Sequence, residues 1–507
     1  MIISLHGVQP RDERAADHLV RLFFDDPDVR FDGTGEPHAE PPDLQLELHV
    51  EEKGEVCAEA RLVRLSDGKA WAARRKRLPG AGTDEDRQHF VKQTMLQALL
   101  KVLEDFTGLR QPWGILTGIR PVKLMHRKKQ QGLSTGKIRE QIREETMVSD
   151  EKIRLMEQIV ERQLRAVPDL YGLKREVSLY IGIPFCPTKC AYCTFPAYAI
   201  GSKQGEVAPF LHGLHGELSE VGRWLKENGV RVTTVYFGGG TPTSISAEDL
   251  DRLLEAMHRA LPDPDHIREI TVEAGRPDTI TPEKLKVLRS WNIDRISINP
   301  QTYTQATLKA IGRHHTVEET IEKFWLARDM GMRNINMDLI VGLPGEGLPH
   351  IEHSLEQTGR LMPESLTVHT LSFKRASEMT QHRDRYTVAS REEASAMMRR
   401  VAEWTARHGY GPYYLYRQKN ILGNLENIGY ALPGKESIYN IMIMEEMQTI
   451  IGIGCGASSK WVDPETGAIV RTANPKEPKA YNESWERCTE TKLEWLDRLF
   501  GMPATLR

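Results

Sequence analysis

From about residue 177 to residue 371 the chain repeats one pattern, in which a short apolar run is followed by a stretch of helical character. The strand-like runs are SLYIGIP (178–184), TTVYFGG (233–239), EITVEAG (269–275), RISINP (295–300), INMDLIVG (335–342) and SLTVHTL (365–371). Helical stretches separate most of them, including 209–228, 247–261 and 317–330. Strands that alternate with helices favour parallel pairing, because each helix returns the chain to the same edge. The sequence therefore predicts an α/β fold of six βα units, as a parallel sheet or a partial barrel.

Regions of different character flank these six units. Leu and Val alternate with polar residues over 44–50, a second strand-like run covers 56–65, and helical patterns cover 86–103 and 150–164. Beyond residue 410 the chain is rich in Tyr, Met and Gly, which suits a cover over a barrel mouth and equally suits an ordinary core. We therefore expect three parts, namely an N-terminal α+β domain (1–168), a core barrel (169–410) and a C-terminal cap region (411–507).

Composition limits the classes of partner. The 68 Lys and Arg residues nearly balance the 71 Asp and Glu residues, which leaves a formal net charge of −3. This balance predicts no chain-wide attraction to nucleic acid or to a membrane surface. The N-terminus lacks the features of a signal peptide, and the chain has no apolar run of about 18 residues. We expect a cytoplasmic protein with no membrane span, with reduced cysteines and without a nucleic-acid partner.

Three of the six cysteines lie within eight residues, directly after the first strand of the expected barrel. Cys186, Cys190 and Cys193 can converge on one ion or cluster, because thiolates are good metal ligands. The other cysteines are isolated and are interpreted as small buried side chains, namely Cys57, Cys455 and Cys488. Structural zinc normally takes four protein ligands, and no second close Cys or His pair is visible. A four-iron cluster held by three thiolates leaves one iron open, so this spacing favours an iron–sulfur cluster.

The segment YIGIPFCPTKCAYCTF resembles the Cys-x3-Cys-x2-Cys loop of radical S-adenosylmethionine (SAM) enzymes. The resemblance implies a radical SAM partial (βα)6 TIM-type barrel. It also implies a [4Fe-4S] cluster held by the three cysteines, whose open iron chelates the amino and carboxylate groups of SAM. In such enzymes the reduced cluster cleaves SAM to methionine and a 5′-deoxyadenosyl radical. The protein supplies position and exclusion of water.

The segment GGGTPT, residues 238–243, is typical of the oxygen-independent coproporphyrinogen III dehydrogenases, and the whole chain looks most like their HemZ-type branch. Successive glycines let a backbone approach a ligand closely. The resemblance implies SAM contacts through Gly239, Gly240 and Thr241. It implies further SAM contacts at strand ends and in the loops after them, namely at Tyr180, Glu273, Gln301, Arg313 and Asp338. No catalytic side chain is assigned beyond these cofactor contacts.

The family resemblance implies conversion of coproporphyrinogen III to protoporphyrinogen IX without oxygen, during haem biosynthesis. A radical would remove hydrogen from the β-carbon of a propionate, and loss of CO2 and one electron would leave a vinyl group. The expected partners are a tetrapyrrole substrate and an external electron donor and acceptor. An anionic tetrapyrrole favours cations at the barrel mouth, where Lys374 and Arg375 are candidates.

Two positions depart from the family pattern and keep alternatives open. Phe195 stands where the dehydrogenases carry a fourth Cys, and Gly182 stands where they carry a His. A haem-chaperone branch shares the Phe but typically has a His-Asn-x-x-Tyr-Trp motif, which aligns here with YNIMIM (439–444). Met442, Met444 and Met447 in or near this segment are interpreted either as haem ligands or as core packing. A third alternative is a radical SAM enzyme that acts on RNA, with the basic segment 120–129 as its tRNA contact, whose simpler interpretation is a solvated surface.

Overall fold

The structure is a computed structural model that describes residues 1–24, 26–32, 40–80, 82–200, 202, 206–374, 377–382, 385–418 and 421–501. The chain forms two compact units, Met1–Glu157 and Gln158–Arg507. This division lies before the boundary that the sequence predicted at residue 168. One helix, Asp150–Ala166, begins in the first unit and ends in the second.

The first unit is a mixed sheet covered by helices. Its strands are β1 (Ile2–His6), β2 (Asp28–Phe31), β3 (Leu44–Lys53), β4 (Glu55–Arg64) and β5 (Ala70–Arg77). They lie in the order β2-β1-β3-β4-β5. The helices are α1 (Pro10–Val20), α2 (Asp84–Thr107), α3 (Val122–Gln130), α4 (Thr135–Thr146) and α5 (Asp150–Ala166). Leu96, Leu99 and Leu103 of α2 share one core with Leu5 and Leu46 of the sheet, as the predicted α+β arrangement requires.

The second unit contains six parallel strands that lie side by side in chain order. They are β6 (Val177–Ile183), β7 (Val232–Gly239), β8 (Glu269–Glu273), β9 (Arg295–Ser297), β10 (Ile335–Val341) and β11 (Ser365–Thr370). These strands are buried along most of their length, as expected for a parallel sheet covered by helices. Each coincides with one of the six runs predicted from the sequence, and the predicted α/β class is confirmed.

Helices connect these strands and carry the chain back between them. They are α6 (Val207–Glu227), α7 (Ala247–Ala260), α8 (Pro282–Ser290), α9 (Gln305–Ala310), α10 (Val317–Asp329) and α11 (Leu348–Leu361). The hydroxyl groups of Ser246, Thr281 and Thr316 accept backbone N–H bonds at the starts of α7, α8 and α10. The sequence therefore marks where each of these helices begins.

The residues after 410 extend the same sheet at both edges. Their strands are β12 (Gly411–Tyr416), β13 (Asn427–Ala431), β14 (Thr449–Gly454), β15 (Ser458–Val462) and β16 (Ile469–Ala473). The order is β12-β13-β11-β10-β9-β8-β7-β6-β14-β15-β16, with β14 parallel to β6. The remaining helices are α12 (Glu378–Gln381), α13 (Arg391–Arg407), α14 (Ile438–Glu445), α15 (Pro478–Asn482) and α16 (Trp485–Phe500). Strand pairing thus makes this region part of the sheet, whereas the sequence suggested a separate cap.

Across the described ranges, no helix combines the length and the apolar character needed to cross a bilayer.

Candidate functional site

The cysteine loop follows β6 and is held by backbone hydrogen bonds to three other parts of the unit. The Cys186 N–H donates to the Tyr198 carbonyl at 3.1 Å, and the Ala191 N–H donates to the Ile311 carbonyl at 3.0 Å. The Ala191 carbonyl accepts the N–H of Met379 at 3.0 Å. The loop is therefore fixed to the loop after α9 and to the start of α12.

The three thiols share one neighbourhood. Cys186 Sγ lies 3.1 Å from the Thr241 hydroxyl oxygen, and Cys190 is buried. Burial raises the pKa of Cys186 to about 11, and the charges of Cys190 and Cys193 add to that rise. Burial also raises the pKa of Cys193, to which the charge of Cys190 contributes. The free thiols of Cys186 and Cys193 thus favour their neutral form, and a bound metal centre would stabilise the thiolates instead.

This donor set fits a cluster of several irons better than a single ion. Within the described residues, no three His, Cys, Asp or Glu side chains are gathered in a way that could hold one metal ion. Ligands of one zinc ion converge at about 2.3 Å from it. A multi-iron cluster is wider, so its thiolates lie further apart. Three thiols on one loop, in the spacing Cys-x3-Cys-x2-Cys, suit a four-iron cluster that leaves one iron open.

The glycine segment brings the exit of β7 against the exit of β6. The Gly240 N–H donates to the Ile183 carbonyl and the Thr241 N–H donates to the Phe185 carbonyl, each at 2.7 Å. Gly239 has φ +109°, and a Cβ on Gly240 would lie 2.5 Å from the Phe185 carbonyl oxygen. The glycines therefore allow a close backbone contact that places Thr241 beside Cys186.

Glu273, the last residue of β8, lies in a partly buried group of carboxylates and tyrosines. Its Oε1 accepts a hydrogen bond from the Tyr236 hydroxyl at 2.5 Å. The Tyr236 ring stacks on those of Tyr180 and Tyr439, with centroid separations of 6.1 and 4.4 Å. Burial raises the pKa of Glu273 to about 7, the Tyr236 hydrogen bond opposes that rise, and the charge of Asp338 adds to it. We call Glu273, Asp338 and Tyr236 the carboxylate centre.

Asp338 is held in place by polar neighbours on β10, β11 and β12. The Asn336 amide donates to its Oδ1 at 2.7 Å. His369 Nε2 lies 3.6 Å from its Oδ2, and His369 Nδ1 lies 3.2 Å from the Tyr416 hydroxyl. The carboxylate of Asp338 is thus oriented from both sides.

The chain after β9 leaves polar atoms without partners beside the carboxylate centre. Gln301 has φ +67°, its N–H donates to the Asp338 carbonyl and its carbonyl accepts from Ile340, each at 2.9 Å. The side-chain oxygens of Ser297, Asn299 and Gln301 are buried and lack a hydrogen-bond partner in the described structure. Buried polar atoms without partners are uncommon and indicate room for a polar ligand. Together with two carboxylates, they fit a ligand that carries hydroxyl and amino groups, as SAM does.

Arg313 joins the ends of three elements. Its Nη2 donates to the carbonyls of Gly275 and Asn299, each at 2.7 Å, and its Nη1 lies 3.4 Å from the Tyr192 hydroxyl. Its Nε is buried and has no partner in the described structure. Most of its donors are therefore used by the protein itself, and Nε is the group left for a ligand.

The two departures from the family pattern have a structural setting. A Cβ on Gly182 would lie 2.9 Å from the Cys455 carbonyl oxygen, so the turn after β14 occupies the space of a larger side chain. The Phe195 side chain is 55% exposed, and Lys374 Nζ lies 5.9 Å from its ring centroid. Lys374 thus lies at the edge of the cysteine loop, while its expected companion Arg375 is outside the described residues.

Sequence analysis did not single out Tyr236, Asn336, His369 or Tyr439. Tyr236 lies beside Tyr180 in the register of β6 and β7, and Asn336 precedes Asp338 by two residues on β10. Period-two alternation from Asp338 would have identified Asn336, and the pairing of β6 with β7 beside Tyr180 would have identified Tyr236. Tyr439 gave no such signal, because α14 is far along the chain from β7.

Comparisons with known proteins agree with this geometry. Residues 180–358 match the family model of the radical SAM superfamily. The chain is 56% identical over 99% of its length, and 99% of the relative, to the oxygen-independent coproporphyrinogen-III oxidase-like protein HemZ of Bacillus subtilis. It is 33% identical over 55% of its length, and 70% of the relative, to the heme chaperone HemW of the same organism.

A solved structure, coproporphyrinogen III oxidase (HemN) from Escherichia coli, aligns with 64% of this chain and 72% of its own, at TM-score 0.50 and 22% identity. That likeness concerns the fold. The identity of 56% over the whole chain to the HemZ relative places the chain in a family. The chain belongs to the radical SAM superfamily, whose cofactors are a [4Fe-4S] cluster and SAM, and within it to the oxygen-independent coproporphyrinogen-III oxidase-like family.

Proposed function

We propose that this protein converts the propionates of coproporphyrinogen III to vinyl groups without oxygen and so forms protoporphyrinogen IX in haem biosynthesis. The observation that carries the proposal is the carboxylate centre, which lies inside the sheet that bears the cysteine loop and is flanked by unpartnered polar atoms. Identity over nearly the whole chain to the oxygen-independent coproporphyrinogen-III oxidase-like protein HemZ supports it. Cytoplasmic action accords with the reduced cysteines.

Each cofactor contact has a role in this proposal. Cys186, Cys190 and Cys193 hold the cluster, and Glu273 and Asp338 accept hydrogen bonds from SAM. The remaining residues position SAM through their backbone or side chains, namely Tyr180, Gly239, Gly240, Thr241, Gln301 and Arg313. When bound, the cluster and SAM supply the radical that removes a hydrogen atom from the substrate. The buried interior excludes water from this chemistry.

Lys374 gives the tetrapyrrole an anchor. Burial lowers the pKa of its ammonium group and the charge of Cys193 raises it, which places this cation beside the cluster loop. A cation there can hold one propionate while another is converted. Each converted propionate loses one hydrogen atom, one CO2 and one electron, so the reaction needs an external electron donor and an external acceptor.

The test is an anaerobic assay of the reconstituted protein with reductant, SAM, coproporphyrinogen III and an electron-accepting extract. We expect vinyl porphyrin products and 5′-deoxyadenosine by mass spectrometry. The Cys186→Ala variant is the matched control and should lack both products and the iron–sulfur absorbance. An unchanged porphyrin despite deoxyadenosine formation would refute the substrate assignment. An intact cluster in the variant would refute the assignment of Cys186 as a ligand.

The main alternative is a haem carrier, which similarity to the heme chaperone HemW supports. Against it, Tyr439 and Met442 of the aligned segment are buried, and Met444 and Met447 pack on the same core. Stoichiometric haem binding without SAM turnover would select the carrier. An RNA substrate is less favoured, because Lys128 of the basic segment is buried and paired with Glu145 at 2.9 Å.

A further inference from the structure

The cysteine loop is held by a buried arginine that the family resemblance did not assign. Arg276 follows β8 by three residues and is 3% exposed. Its guanidinium pairs side-on with Asp278, with Nε 3.1 Å from Oδ1 and Nη2 3.0 Å from Oδ2. Nη1 is left to donate to Thr188, to the carbonyl at 3.2 Å and to Oγ1 at 3.0 Å. Arg276 therefore connects the exit of β8 to the loop that carries the cysteines.

Thr188 lies between Cys186 and Cys190, so its position influences the separation of these two ligands. Its hydroxyl also donates to the Gly312 carbonyl at 3.1 Å. The bonds from Arg276 are charge-assisted and partly buried, which makes them stronger than neutral bonds at a surface. Without Arg276, the first half of the loop would lose its contact with the exit of β8.

The charge of Arg276 also reaches the cysteines. The guanidinium donates through Nη1 to Thr188, which lies two residues from both Cys186 and Cys190. Asp278 offsets part of this charge, but it binds the edge of the guanidinium away from Thr188. Reduction of a cluster adds negative charge, and the reduction potential depends on nearby charge and on hydrogen bonds. A fixed cation beside the loop therefore favours the reduced state.

We propose that Arg276 is a positioning residue for the iron–sulfur cluster, which holds Thr188 and thereby the cysteine loop in its binding geometry and sets a fixed positive charge beside it. The inference rests on the cluster and not on the identity of the substrate. An arginine that acts in this way stabilises the bound cluster and raises its reduction potential.

The experiment compares Arg276→Gln, which removes the charge, with Arg276→Lys, which keeps the charge and loses the side-on pairing. The control is Arg268→Gln, because Arg268 makes a similar bidentate pair with Asp169 just before β8. We measure amide hydrogen exchange of residues 186–193 in the iron-free protein, iron release to a chelator and the midpoint potential of the reconstituted cluster. Arg276→Gln should exchange faster, release iron about tenfold faster and have a more negative potential. Arg276→Lys should release iron faster than wild type, and its midpoint potential should change less than that of Arg276→Gln.

Wild-type exchange, iron release and potential in a folded Arg276→Gln protein would overturn the inference, as would equal changes in the Arg268→Gln control. If the Gln variant does not fold, Asp278→Asn takes its place, because it leaves Arg276 without its orienting partner. Faster exchange in that variant supports the inference, and unchanged exchange refutes it. None of these measurements uses a porphyrin, so failure of the proposed reaction would be seen separately.

Discussion

Glu273 holds a carboxyl group where its negative charge is disfavoured. Burial removes the charge from water, and Asp338 lies close enough to repel it, while Tyr236 donates a hydrogen bond that favours it. A ligand with amino or hydroxyl groups would supply the missing partners. The group is thus prepared for a cofactor, and it destabilises the empty site at high pH.

The pH dependence of stability tests this description of Glu273. Its folded pKa of about 7 lies above the ordinary 4.5, so its stabilising contribution is fully present below pH 4.5 and is lost as pH rises through 7. At pH 8 the Glu273→Gln protein should be more stable than wild type by up to about 3 kcal/mol. The difference should vanish near pH 4. Urea unfolding of the iron-free proteins measures it, with Glu248→Gln on exposed α7 as the control. Equal stability at pH 8 would contradict the burial of this charge.

A second test on a single residue concerns the close contact between Gly240 and the backbone of Phe185. A Cβ there would lie 2.5 Å from the Phe185 carbonyl oxygen, so alanine must displace the backbone that leads into Cys186. We expect Gly240→Ala to retain less iron per chain after reconstitution than wild type. Gly172→Ala is the control, because no heavy atom lies within 4 Å of a Cβ at that position. Full iron content in the Gly240 variant would show that the close contact is not needed.

Single residues also mark the limit of prediction from sequence. The motif assigned Thr241 to SAM binding, and the structure adds that its hydroxyl lies 3.1 Å from Cys186 Sγ. Arg276 was missed, because its contact with Thr188 depends on a loop that lies 88 residues earlier in the chain. Local patterns report strand faces well, but they carry no information about which distant loops meet.

At the scale of elements, α14 illustrates how a distant segment reaches the barrel interior. Glu269, at the start of β8, accepts a hydrogen bond from the Ser437 hydroxyl at 2.7 Å and from the N–H groups of Ile438 and Tyr439 at 2.9 and 3.2 Å. A carboxylate at a helix N-terminus satisfies donors that have no partner within the helix. This cap places Tyr439 against Tyr236.

Removing this cap should cost stability and disturb the tyrosine stack. We expect Glu269→Gln to lower the free energy of unfolding by about 2 kcal/mol, because buried hydrogen bonds to a charged acceptor are lost. The near-ultraviolet circular dichroism of the stacked tyrosines should also change. Ser246→Ala, which removes the cap of the surface helix α7, should cost about 1 kcal/mol and leave that spectrum unchanged. An unchanged spectrum in the Glu269 variant would show that the cap does not position Tyr439 in the tyrosine stack.

The strands of the barrel were predictable and those at its edges were not. Six apolar runs with βα spacing marked β6 to β11 within a few residues. The segment that forms β14 lies in the region described as rich in Tyr, Met and Gly, and nothing local indicates that it pairs in parallel with β6 across more than two hundred residues. Composition alone therefore suggested a cap where strand pairing joins the segment to the sheet.

At the scale of the whole molecule, the account makes one claim, which is that the chain directs a hydrogen-abstracting radical at a tetrapyrrole propionate. The sheet supplies a cysteine loop at the end of β6 and a carboxylate centre on β7, β8 and β10. Polar atoms left without partners lie beside that centre. These features are suited to holding SAM next to a cluster.

The most direct measurement follows the hydrogen atom itself. Coproporphyrinogen III deuterated at the β-carbons of its propionates is incubated anaerobically with the reconstituted protein, SAM, reductant and the electron-accepting extract, and 5′-deoxyadenosine and the porphyrins are analysed by mass spectrometry. The account predicts deoxyadenosine that carries one deuterium, formed together with vinyl products. Deoxyadenosine without deuterium, from a protein with an intact cluster and bound substrate, would contradict it.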